Sequence, residues 1–379
     1  MDAELSDEKI VRITFGFMSA KTMLSAIELG VFTGLARGAL TLDECIERFG
    51  IHRRSASDFL DALVAMGAAG FAAVIAFHLG IVAVCGVAWF VLVPESNRPS
   101  PWAFILGRLV RNGASEALPL SQAGGFIMGS RAATAAGLPG AMSVASTVVD
   151  ITMELLGELI FVAVALAILA RMHPGTALES WVATGLVGAT VVAMVYAIAQ
   201  RRGFAFIERV ANRAPQGAGL AAGAATLQGC MDDIYGQLRG PLLGFLLHLA
   251  CWLASAVEAW FALKLMGTSP GFAVVLSIEG LVSAARALAF AVPGALGVQE
   301  GAYVVVGAMF GVSPGVVLAL SLLKRARDLV LGVPPLVAWQ FLEGNRIWRR
   351  RAPRENAIDT RRTPQPAAAL ADDRRRQIF

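Results

Sequence analysis

Apolar runs long enough to cross a bilayer recur from about residue 70 to residue 342, and they leave few folds open to this chain. They lie at about 70–93, 102–120, 142–170, 181–200, 241–264, 272–292, 298–312 and 316–342. Hydrocarbon gives backbone amides no water to bond, so a chain built this way must satisfy them within helices. The expected fold is therefore an all-α, polytopic transmembrane bundle of about eight spans, some of them broken or re-entrant. The run 102–120 carries Arg108 and Arg111 and the run 298–312 is short, so the count carries an error of one or two. Hydrophobic residues make up 56% of the chain and charged residues 16%, with a mean hydropathy of +0.64, too apolar for a soluble protein of 379 residues.

Breaks and charges inside these runs are costly, so each marks a place covered by protein or lining a wet cavity. Pro293, Gly294, Gly297 and Gly301 interrupt one apolar stretch, with Gln299 and Glu300 inside the break. Lys324, Arg325, Arg327 and Asp328 then enter the next run. Lys324 and Asp328 stand four residues apart and can pair locally, but the surplus of positive charge suits an anionic head group. A second break surrounds Pro119, Gln122, Gly124 and Gly125 and is followed by Arg131. There a broken helix exposes backbone groups to a polar ligand, or a loop simply joins two spans.

Asp150, Glu154 and Glu158 are spaced by four, which puts three carboxylates on one helix face. Like charges so placed need cations, protons or water. Pairing with Arg131, Arg286 or Lys324 on neighbouring helices is the favoured reading, and a cation or proton path is the sharper one. The two breaks also echo each other. Pro119 precedes the Gly137-Leu-Pro139-Gly140 segment by the same 18 residues that separate Pro293 from Gly311-Val-Ser-Pro314-Gly315. Broken segments repeated in two halves point to a transporter-like binding site.

The two ends differ in charge. Residues 1–66 hold seven Lys/Arg and ten Asp/Glu, whereas the chain from Arg346 onward holds ten Arg and four acids. With Arg201, Arg202, Arg209 and Arg213 in one loop, the positive-inside rule places that loop and the tail in the cytoplasm. The polar, acidic start lacks a signal peptide, so both termini are expected in the cytoplasm of a cell with this protein in its inner membrane. The basic tail, 346–379, reads as disordered and loosely drawn to anionic lipid. Cys45, Cys85, Cys230 and Cys251 lack metal-ligand spacing and read as buried small residues. No Ser/His/Asp set, His-rich cluster or phosphate loop occurs, so no enzymatic activity, cofactor or metal is expected.

Within residues 1–67, Thr41 and Glu44 form a capping box that opens a helix ending at Gly50, and an amphipathic helix follows from about Arg53 to Met66. The stretch from Gly16-Phe-Met-Ser-Ala-Lys through Thr41-Leu-Asp-Glu to Leu60-Asp-Ala-Leu-Val-Ala-Met-Gly67 resembles the winged-helix dimerisation domain of small-molecule O-methyltransferases. That family's glycine-rich cofactor domain does not follow, which removes methyltransferase activity. Residues 10–66 are left as a homodimerisation element or an inert remnant, and their net negative charge opposes nucleic-acid binding.

The body, 68–345, carries a second resemblance. Ser121-Gln-Ala-Gly-Gly-Phe with Gly129-Ser-Arg-Ala, Val292-Pro-Gly-Ala-Leu-Gly-Val-Gln-Glu-Gly-Ala-Tyr and Leu320-Ser-Leu-Leu-Lys-Arg-Ala-Arg-Asp-Leu resemble the HpnL-type membrane proteins associated with hopanoid biosynthesis. Those belong to a wider group similar to the lipid-flipping transmembrane part of lysylphosphatidylglycerol synthase. The resemblance implies an inner-membrane protein that moves or presents a lipid, a hopanoid or an anionic phospholipid. Pro119, Gln122, Gly124, Gly125, Arg131, Arg286, Pro293, Gly297, Gln299, Glu300, Lys324 and Arg325 would then contact lipid, with Asp150, Glu154, Glu158 and Asp328 balancing charge. A lipid-modifying transferase and a non-catalytic scaffold for hopanoid enzymes are the alternatives.

Overall fold

A computed structural model describes residues 53–117, 121–172, 218–289 and 295–351, with isolated positions at 184, 185, 188, 191, 195 and 292. The Thr41 capping box, Pro119, Pro293, Gly294, most of the run 181–200, the basic loop 201–213 and the tail beyond residue 351 lie outside the described residues.

Among the described residues the protein is all-α. The helices are α1 (Arg53–Leu92), α2 (Pro101–Ala117), α3 (Ser121–Ala135), α4 (Gly140–Met172) and α5 (Ala218–Tyr235). They continue with α6 (Arg239–Leu265), α7 (Phe272–Leu288), α8 (Val298–Met309) and α9 (Pro314–Arg351). Gly67, at φ 65° and ψ 171°, breaks α1 into two helices. That residue is where the sequence passes from the N-terminal segment to the membrane body, and glycine adopts this backbone without a Cβ penalty.

Three described helices are long and apolar enough to cross a membrane: Val64–Leu92, Gly140–Met172 and Arg239–Leu265. They match the expected runs 70–93, 142–170 and 241–264. The remaining described runs depart from the expectation for identifiable reasons. At 1.5 Å per residue, α2 and α7 (17 residues each) reach only about 26 Å, short of a hydrocarbon core of about 30 Å, and the 15-residue α3 falls where no run was expected. The run 298–312 becomes the 12-residue α8, confined between Gly297 at φ 79° and Gly311 at φ 69°. The last run becomes the 38-residue α9, which carries charges and contains Pro334 and Pro335.

Helices α2 and α3 pack side by side, and so do α7 and α8, so short paired helices flank both Pro/Gly breaks. The long helices α4 and α6 pack on each other, α6 also lies on α1, and α4 lies on α7. One apolar core gathers Trp89, Phe104, Met142, Val149, Met231 and Ile234 between α1, α2, α4 and α5. Another gathers Val74, Leu263, Ile278, Tyr303, Leu320 and Leu323 between α1, α6, α7, α8 and α9. Leu242, Leu246 and Leu253 of α6 and Val144, Ile160 and Val164 of α4 are exposed, as lipid-facing positions of a membrane helix would be. Compact packing ends at Val337, and the rest of α9, to Arg351, belongs to a separate unit.

Candidate functional site

Glycine fixes where the basic residues of α2 fall. A Cβ on Gly125 would stand 2.0 Å from Ser115 Oγ and 2.7 Å from Arg111 O, and one on Gly129 would stand 2.9 Å from Arg111 Cβ. The backbones of α2 and α3 therefore approach closely. A Cβ on Gly113 would meet Gly332 O at 2.2 Å, so α2 also crosses α9 at a contact between two glycines. Held between α1, α3 and α9, α2 directs Arg108 and Arg111, three residues apart and on one face, at α4.

The carboxylate stripe of α4 meets them. Arg111 donates to Asp150 at 2.7 Å and to Glu154 at 2.6 Å. Arg108 donates to Glu154 through both terminal nitrogens and reaches Asp150 at 3.4 Å. His248 of α6 lies 2.8 Å from the other oxygen of Asp150, and Trp252 Nε1 donates to Glu154 O at 3.2 Å. The expectation of pairing with cations from other helices holds for Asp150 and Glu154, but the partners differ. Arg131 is exposed on α3, Arg286 bonds Glu116 at 3.0 Å, and Lys324 bonds Glu279. Arg108 and Arg111 had been read as a weakness of a span. The usable signal was their three-residue spacing in an apolar run, complementary to the four-residue spacing of Asp150 and Glu154.

The charges of α9 are likewise matched. Lys324 donates to Glu279 and, at 3.0 Å, to Tyr303 Oη, while Tyr303 donates to Glu279. Arg327 donates to Glu258 and, at 2.7 Å, to Asp328, and His78 lies 2.9 Å from Glu258. Glu300 caps α8 by accepting from Gly297 N at 2.8 Å, and its other oxygen accepts from Arg325 at 3.0 Å. Gln299 donates to Ser321 Oγ at 3.1 Å and ties α8 to α9. This corrects the expected surplus of positive charge: Lys324, Arg325 and Arg327 all bind carboxylates. Desolvated cations need such partners, and Glu258 and Glu279, both buried, had not been singled out in the sequence.

These networks surround a cavity of about 640 Å³. Its walls include Arg108, Arg111, Arg286, Lys324 and Arg327, and also Glu116, Glu154, Glu158, Glu279 and Asp328. Five basic and five acidic side chains thus face one space. His78 and Trp252 are the central residues of the spans 64–92 and 239–265, and Glu154 and Glu158 flank the centre of 140–172, so the cavity sits midway along all three. Of the expected lipid contacts, Arg286 and Lys324 line it. Arg131, Gly125, Gly297, Gln299, Glu300 and Arg325 do not; Gly125 and Gln299 act in helix packing, and Glu300 and Arg325 in fixing α8. Among the described residues no three His, Cys, Asp or Glu side chains converge as a metal site requires.

Long apolar helices, short paired helices at two breaks and a charged mid-span cavity define a multi-pass membrane protein with a polar chamber in its helical body. The chain matches the family described as the lysylphosphatidylglycerol synthase TM region over residues 49–335, and it belongs to that family. Residues 11–68 match the O-methyltransferase dimerisation domain. There the chain is 52% identical over 58 residues to the tetracenomycin polyketide synthesis 8-O-methyl transferase TcmO of Streptomyces glaucescens. That stretch is 15% of this chain and 17% of the relative, so the likeness is confined to the N-terminal segment. No solved structure matches the chain.

Proposed function

We propose that this protein moves or presents a lipid across the inner membrane by admitting its polar head group to the mid-span cavity, without chemistry of its own. The observation that supports this is a chamber of about 640 Å³, lined by five Arg or Lys and five Asp or Glu side chains, at the middle of three apolar spans. Charged groups at that depth are costly unless they pair or face a polar space, and here they do both. Membership of a lipid-associated membrane family supports the same reading.

The balance of five bases and five acids favours a head group offering both donors and acceptors, a polyol or a zwitterion, over one with net negative charge alone. A hydroxyl-bearing hopanoid meets that requirement. The N-terminal segment, resembling a dimerisation domain, would pair two copies at the cytoplasmic face.

Filling the chamber tests the reading without removing a charge. Ser255 lines it, half-buried, on α6. In proteoliposomes of phosphatidylethanolamine and phosphatidylglycerol carrying a fluorescent phosphatidylethanolamine, Ser255→Trp should slow dye exchange between leaflets at least tenfold. A deletion strain given this variant should keep the altered inner- and outer-membrane hopanoid content of the deletion. A folded, inserted Ser255→Trp protein that restores both would overturn the proposal.

A further inference from the structure

Four of the five acidic side chains on the cavity wall have a basic partner: Glu116 has Arg286, Glu154 has Arg108 and Arg111, Glu279 has Lys324, and Asp328 has Arg327. Glu158 is the exception. Among the described residues it forms no ion pair with Arg, Lys or His, and the carboxylate of Glu154 stands one helical turn before it. Its polar neighbour is Ser283 of α7, whose hydroxyl already donates to Gly280 O at 2.9 Å. A hydroxyl engaged in this way keeps a lone pair that can accept from a protonated Glu158.

Among the described residues, every Arg and Lys of the wall already has another carboxylate as its partner. From α7 come Ser283, Glu279 and Arg286, the last held by Glu116; from α6 come Trp252 and Ser255, with His248 turned to Asp150. From α2 come Arg108 and Arg111, both bound to Asp150 and Glu154, and α8 adds Tyr303. From α9 come Lys324, Arg327 and Asp328, bound as described, and α1 adds His78 beside Glu258. Helix α3 adds only Phe126, and α5 adds nothing to the wall. Across the wall and its partners, the eight carboxylates of Glu116, Asp150, Glu154, Glu158, Glu258, Glu279, Glu300 and Asp328 face six Arg and Lys. The carboxylates thus outnumber the Arg and Lys by two, and Glu158 is the wall carboxylate without a cation of its own.

We propose that Glu158 is a proton-binding site of the cavity, carrying a proton when the chamber holds only water and exchanging it with water as the chamber's charge changes. The step is a plain acid–base transfer: the Glu158 O–H bond forms with a proton from water in the cavity, and breaking it returns the proton to water. If a head group occupies the chamber as set out above, lipid passage and Glu158 protonation are coupled. The proton site itself does not depend on that reading.

Infrared spectroscopy of the full-length protein in phosphatidylethanolamine–phosphatidylglycerol nanodiscs detects the acid directly. At neutral pH the wild type should show a protonated-carboxyl carbonyl band that shifts in D2O and is lost in Glu158→Gln. Ser283→Ala should shift the same band by removing its acceptor, which keeps the test decisive if the first variant does not fold. A wild-type protein without the band, or a band unmoved by both variants, overturns the proposal. Leaflet exchange of the fluorescent phosphatidylethanolamine, followed against pH, separates the two ideas. A band without lipid exchange refutes the lipid reading alone, and pH-independent exchange without a band refutes the proton site alone.

Discussion

Asp150 is fully buried and holds three partners from two other helices: Arg111 at 2.7 Å, Arg108 at 3.4 Å and His248 at 2.8 Å. Placing so many charges out of water is costly, and only their mutual arrangement makes it tolerable. Removing one partner is worse than never having had the set, because the remaining charges stay buried and lose their compensation. Asp150→Asn keeps the shape and one acceptor oxygen but leaves Arg111 with only Glu154 and removes the counter-charge of His248. We expect it to cost about 3–5 kcal/mol, read as a marked drop in melting temperature of detergent-solubilised protein. Glu300→Gln should be milder. Its amide oxygen can still accept from Gly297 N or from Arg325, though not from both as a carboxylate does, and the site lies at a helix start where a cap is worth about 1 kcal/mol. Equal losses for the two variants would show that the Asp150 network is not the more deeply coupled one.

At the scale of elements, the long apolar runs were legible because periodicity and length survive in the sequence, and α4 and α6 fall close to their expected limits. The short helices were less so. A run such as 298–312 reads as one apolar stretch, yet positive φ at Gly297 and Gly311 cuts it to 12 residues. The charged partners were the least legible, since pairing Arg111 with Asp150 depends on how α2 crosses α4, and crossing is set by tertiary packing. Glycine sets that crossing. Gly125→Ala puts a methyl group 2.7 Å from the backbone oxygen of Arg111, where relief requires α2 and α3 to part, so a loss of about 1–3 kcal/mol is expected. Gly223→Ala, in α5 with open space around it, makes the contrast. It should be neutral or stabilising by about 0.5–1 kcal/mol, because alanine loses less backbone freedom in a helix. Thermal melts of the two variants beside wild type check both; similar losses would mean that the α2–α3 approach is slack.

The whole molecule joins two segments that match different families, and the matches overlap between residues 49 and 68. Helix α1 spans that junction, yet its backbone leaves the helical region at Gly67. The membrane part of α1 packs through its own residues: Val74 in one core, Trp89 and Leu92 in the other, and His78 against Glu258. Among the described side chains, Met66 is the first α1 residue in either core. The body should therefore fold from Val64 onward, and the N-terminal segment should act on assembly alone. A chain lacking residues 2–63 is expected to insert, to melt within a few degrees of the full-length protein, and to retain lipid exchange in proteoliposomes. Its cross-linked dimer, which the full chain should yield in native membranes, is expected to disappear. If the shortened protein exchanges lipid poorly while melting normally, pairing through the N-terminal segment is part of lipid movement itself. If it fails to insert, the fused segment has become part of the folding unit, and the break at Gly67 is a kink within one domain.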